Sequence, residues 1–293
     1  MLNISVLYAF YDKYIIMKKE VFIALEDFKL NQATIYGTKL AKQLDRYVYL
    51  FGVVKVPVST PPVIIDGSIL QNTVSLQIQD LKDKAKRDLE DLVAKLKVIH
   101  PNIYADTSTG FKEPTVIDET KKKNPYLMVI EGSSELTTMH EWFGTHETRL
   151  AESTTVPTLI VPKGFSWKPI RNILYLMDKD SENIENMRYL IELAAIFKAK
   201  ISVITIVNNE NEAADEKHQQ IVTSLCTSLN CTDFTFQRVF TEGAAEAIEE
   251  ILIQTAADWL TFEHKDRSFF ERVFGDYNTE HLILKSKSPV LVF

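Results

Sequence analysis

The chain repeats itself at a spacing of 132 residues, and that duplication limits its fold more than any other feature. Val156-Pro157-Thr158-Leu159-Ile160-Val161 matches Ser288-Pro289-Val290-Leu291-Val292-Phe293. At the same offset Leu127-Met128-Val129-Ile130-Glu131 falls over Trp259-Leu260-Thr261-Phe262-Glu263, and Gly144 and Gly275 lie one residue short of it. Solenoid repeats recur every ~20–50 residues. A period this long is a duplicated domain, and 293 residues hold two domains of ordinary size.

Each copy reads as alternating strand and helix. In the second, Asn172-Ile173-Leu174-Tyr175-Leu176-Met177 is an apolar run too short for a helix. A helix follows, capped by Asp180 or Ser181, with Ile184, Met187, Ile191 and Ala194 on one face. Strands are predicted at 200–207, 234–239, 258–262 and 289–293. A helix with Ile221, Leu225 and Leu229 and another opening at Glu242-Gly243 lie between them. The first copy gives strands at 20–25, 47–54, 102–106, 126–130 and 156–161, and an amphipathic helix over 69–99. Unbroken apolar strands alternating with helices imply a mainly parallel sheet covered on both faces. The linker, 162–169, is short and should press the halves together.

Composition narrows the function. A net charge of −7 argues against nucleic acid and anionic membrane surfaces as partners. The two cysteines, Cys226 and Cys231, are too few for a stapled secreted domain, and their spacing makes a poor zinc pair. Residues 1–16 are apolar, but they lack a basic leader and a small-residue cleavage site, and Asp12 and Lys13 interrupt them. The folded unit is therefore expected to begin at Met17, with 1–16 an extension or an upstream start.

The order of these features resembles the universal stress protein family in its tandem form. Met177-Asp178 followed by Tyr189-Leu190-Ile191-Glu192-Leu193-Ala194 fits the family's first strand and helix; Asp27 and residues 36–41 are the first-half counterparts. Proline before a short final strand, at Pro157 and Pro289, is the family's usual ending. The resemblance implies two tandem doubly wound α/β domains of the adenine nucleotide alpha hydrolase-like, Rossmann-like type. Each would hold a five-stranded, mainly parallel sheet, over 17–163 and 168–293. Family members commonly pair through their final strands, which implies an internal pseudodimer with 156–161 beside 289–293.

ATP-binding members carry G-x2-G-x9-G-[S/T] after the fourth strand. The glycines let phosphate approach the backbone, and amides at the following helix start face the anion. Here the first half reads Glu131, Ser134, Gly144 and Thr145; sliding by one brings in Gly132 but puts Glu135 at the second position. The second half reads Glu263, Asp266, Gly275 and Asp276. The candidate nucleotide residues are thus Asp27, Gly132, Gly144 and Thr145 in a vestigial first site, and Asp178 and Gly275 in an inactive second one. ATP is the one cofactor the first half could hold; none is expected in the second.

Other constellations read as ordinary structure. His140 and His146 sit six apart, not the four of a helical metal pair. Asp178, Asp180 and Glu182 read as a capping loop, and Lys121-Lys122-Lys123 as a solvated turn. His264 and Asp266 have no evident nucleophile beside them, and no G-x-S-x-G elbow occurs. Phe269-Phe270, with Val273 and Phe274, could form either a partner-binding patch or the packing face of the last helix. The expectation is a cytoplasmic, non-enzymatic stress-response protein with no metal that acts through protein contacts. An ATP sensor in the first half and an uncharacterised hydrolase are the alternatives.

Overall fold

The computed structural model describes residues 19–55, 69–132, 137–138, 146–178, 184–207, 219–220, 223–224, 227, 233–240, 244–263, 285–286 and 288–293. The 1–16 extension, both cysteines and the 269–274 aromatic stretch lie outside them. So do Gly144, Thr145, Asp180, His264, Asp266, Gly275 and Asp276. The chain divides into two compact units, 1–130 and 131–293.

In the first unit, strands β1 (Val21–Ala24), β2 (Val48–Val54), β3 (Ile103–Thr109) and β4 (Leu127–Glu131) run parallel in the order β3-β2-β1-β4. Val21 pairs with both Val48 and Leu127. The central strands are buried without alternation because helices cover both faces. Helix α1 (Gln32–Gln43) starts at Asn31, whose side chain accepts from the Thr34 amide at 2.8 Å while Thr34 Oγ1 accepts from the Asn31 amide at 3.1 Å. This reciprocal cap satisfies two amides that the helix leaves free. Gly37 lets α1 lie close on the sheet; a Cβ there would meet Ile23 Cδ1 at 2.7 Å. Helix α2 (Ile69–Lys97) packs through Ala85, Leu89, Leu92 and Leu96.

Helix α3 (Lys112–Lys123) corrects one expectation. Lys121, Lys122 and Lys123 form its last turn instead of a loop. Cations are stabilised at a helix C-terminus, and Asn124 ends the helix with φ 44°, its amide donating to Thr120 O at 2.8 Å. Lys123 Nζ then lies 4.5 Å from the ring centre of Tyr49, which stacks on Tyr104 at 4.8 Å. Tyr49 Oη donates to Glu119 Oε1 at 2.9 Å.

Burial, and then Glu119, hold the Tyr49 phenol well above its ordinary value; burial, and then Glu20, do the same for Tyr104. Groups raised in the folded state contribute stability that is whole below the unfolded tyrosine value of about 10 and is lost as pH rises beyond it. Urea midpoints should therefore fall between about pH 9 and about pH 11, and Tyr49→Phe should flatten that fall. An unchanged slope in the variant would refute this origin.

The second unit contains α4 (His146–Glu152), β6 (Thr158–Val161), β7 (Asn172–Asp178), α5 (Ile184–Phe197), β8 (Lys200–Val207), β9 (Phe234–Phe240), α6 (Ala244–Thr255), β10 (Trp259–Phe262) and β12 (Val290–Val292). Its strand order is β6-β12-β10-β7-β8-β9. All neighbours from β12 onward are parallel, and β6 joins β12 antiparallel with Leu159 opposite Leu291. β6 belongs to the first repeat by sequence, yet this ladder places it in the second unit. A two-residue ladder of β5 (Thr137–Thr138) and β11 (Lys285–Ser286) had no hydrophobic run to signal it. Among the described residues no helix is long and apolar enough to cross a membrane.

Candidate functional site

Doubly wound sheets take ligands at the carboxyl ends of their strands, where the winding reverses direction. In the second unit that point lies between β7 and β10: β8 and β9 are added on one side of β7, β10 and β12 on the other. Asp178 ends β7 there. Glu263 directly follows β10 and is 9% exposed. Tyr175 Oη, from β7, donates to Glu263 Oε1 at 2.8 Å. The Glu263 carboxylate is thus turned inward and held by a phenol.

More polar atoms share this face. Tyr175 is level with Thr261, and Met177, two residues on, is level with Thr205. Side chains two apart on a strand share a face, so Thr205, Thr261 and Tyr175 lie on the same side of the sheet. The Thr205 and Thr261 hydroxyls are buried and have no hydrogen-bond partner among the described residues. Counted along the matched strands, the first unit has Gly52, Val129 and Ile23 at these places. The second unit is thus polar at places where the first carries glycine and apolar side chains.

The first unit reverses its winding between β1 and β4. Val21 pairs with Leu127 as Ile173 pairs with Trp259. Counting on two residues past the end of β1 sets Glu26 level with Asp178, the last residue of β7; Asp27, the counterpart by sequence, stands one place further on. Asp27 is exposed, and its Oδ1 accepts the Lys29 amide at 3.1 Å, a local turn contact. Lys112 Nζ, at the start of α3, donates to Glu26 Oε2; the lysine side chain is 11% exposed and the glutamate 50%. Beside them, Phe28 lies on Gly52 so closely that a Cβ there would fall 2.2 Å from the ring.

Gly132 follows β4, and its amide donates to Val161 O at 2.8 Å. That N–H is committed to strand β6 and does not face outward toward an anion. A Cβ at Gly132 would make only ordinary contacts, 3.5 Å at the nearest, so packing does not demand glycine. Glu131, the residue aligned with Glu263, is half-buried.

Sequence reasoning missed Tyr175, Glu26 with Lys112, and Phe28. One signal was present: a glycine inside an apolar strand, as at Gly52, marks a close approach. Among the described residues, no three His, Cys, Asp or Glu side chains come together as a metal site would need.

No protein-family model matches the sequence, and no curated protein matches it. Solved structures do match along nearly the whole chain. A Pseudomonas aeruginosa protein assigned to the universal stress proteins aligns with a TM-score of 0.57 at 13% identity, covering 96% of this chain and 94% of its own. A universal stress protein from Archaeoglobus fulgidus aligns at 0.53 and 13% identity, covering 92% and 95%. The cytoplasmic domain of a prokaryotic cation chloride cotransporter aligns at 0.50 and 11% identity, covering 94% and 95%. The mainly parallel sheets, their winding and these alignments together show that the chain has the Rossmann-like α/β fold of the universal stress proteins.

Proposed function

We propose that this chain is a tandem universal stress protein that acts by binding partners, not by turnover, and holds little or no ATP. The supporting observation is the buried Glu263, engaged by Tyr175 at the carboxyl end of β10. A carboxylate about 5 Å from a phosphate charge costs roughly 3 kcal/mol at an effective dielectric near 20. A helix N-terminus returns only about 0.3–1 kcal/mol. In the first half the committed Gly132 amide points the same way. The two repeats pair through their final strands as a pseudodimer, a reading supported by the β6–β12 ladder. Neither half is assigned a catalytic role, and the reading goes with a cytoplasmic location and a protein partner.

Gly144-Thr145 preserves the end of the ATP pattern and supports the alternative of a nucleotide sensor in the first half. Calorimetry of the full chain with ATP, with and without Mg²⁺, separates the two. No saturable heat at millimolar ATP is the expected result. Saturable micromolar binding that disappears in Gly144→Glu would replace the proposal with the sensor.

A further inference from the structure

We propose that residues 26–30 form a strap that closes the carboxyl end of β2, with Phe28 as an internal occupant of a slot for a planar aromatic group and Glu26–Lys112 as its latch. The strap is strung between two anchored ends. The Leu25 amide donates to Phe51 O at 2.9 Å, and Asn31 is held in the α1 cap. Between those ends, two longer contacts fold it down. Phe28 lies on Gly52, and Glu26 reaches the first residue of α3, which follows β3. Since β2 sits between β1 and β3, the ion pair reaches across the end of β2.

The slot follows from the glycine. Gly52 lies within a seven-residue strand whose other members are apolar. Glycine weakens a strand, and its place here is explained by the ring that rests on it. When the strap swings outward, Phe28 leaves a floor of bare backbone one aromatic ring wide, at the sheet edge where this class of fold takes ligands. The ring is half-buried and the glutamate half-exposed. The lysine end of the pair is largely buried, so release comes at the half-exposed carboxylate, and a ligand that prefers the open form shifts the strap by its differential affinity for that form.

The test uses the full chain. Hydrogen–deuterium exchange at residues 25–30 and 51–54 is compared among wild type, Lys112→Met, Phe28→Ala and the exchanged pair Glu26→Lys with Lys112→Glu. Binding of the neutral planar dye Nile red is measured in parallel. Lys112→Met should speed exchange by at least about twofold, the lower worth of an ion pair with one exposed end, and the exchanged pair should restore it. Phe28→Ala should raise dye binding while circular dichroism stays native; Phe28→Leu gives the same reading should the alanine variant unfold. Unchanged exchange in Lys112→Met overturns the latch, and a folded Phe28 variant with no gain in dye binding overturns the slot. ATP binding to the wild type would defeat the function proposed above without altering either result.

Discussion

Trp259→Ala is expected to lower the unfolding free energy by about 3–5 kcal/mol. Among the described residues Trp259 is the largest fully buried side chain, and it opens β10, the strand between β7 and β12. Its indole meets the Phe197 ring of α5 edge-on, with centroids 5.5 Å apart and planes at 79°. Removing it deletes the apolar area and leaves a cavity between sheet and helix that a close-packed neighbourhood cannot refill. Trp259→Phe keeps part of both and should lose clearly less. Urea denaturation followed by circular dichroism reads the difference. A loss below about 1.5 kcal/mol for the alanine variant would mean that the indole is not packed as described. Because Thr261 and Glu263 are next along the chain, the same variant should disturb the polar face at the carboxyl end.

Asp258→Ala should remove about 2–4 kcal/mol by a different route. Asp258 is buried, and its Oδ2 accepts the amides of Arg171 and Asn172 at 2.8 and 3.0 Å. Its Oδ1 meets Lys168 Nζ at 2.9 Å. One carboxylate thus ties the end of the inter-repeat linker and the start of β7 to the start of β10. Alanine leaves two backbone donors without this acceptor, and hydrogen bonds to a charged group are the stronger kind. Lys168 is about half exposed, so Lys168→Met should change stability by less than about 1 kcal/mol. This ordering separates the backbone contacts from the ion pair: equal losses in the two variants would contradict it. Faster exchange at the Arg171 and Asn172 amides in Asp258→Ala would place the effect at the linker.

The strands and most helices were legible in sequence because each is set by a local apolar pattern. Val48–Val54 is a continuous apolar run and Lys200–Val207 is rich in β-branched residues, which is what strands in a sheet covered on both faces favour. The run 69–99 has helical period along its length and forms α2. Local signals failed where an element carries no apolar stripe. Most of α3 is polar, and its lysine-rich end looked like a turn; the macrodipole and the left-handed Asn124 make it a helix terminus. That Glu26, two residues past β1, counts level with Asp178 is also invisible locally, because register belongs to two strands at once.

By itself the sequence determined an α/β chain whose segments match at a spacing of 132 residues, and the places of its strands and most of its helices. Those properties depend on residue type and spacing alone. Only the tertiary structure decided that Glu263 is held by Tyr175, 88 residues away, that the Gly132 amide is taken by Val161, and that Phe28 rests on Gly52. Hydrogen-bond partners and close approaches are set by which strands become neighbours. That choice is made when the whole sheet buries its apolar faces, and no local pattern encodes it.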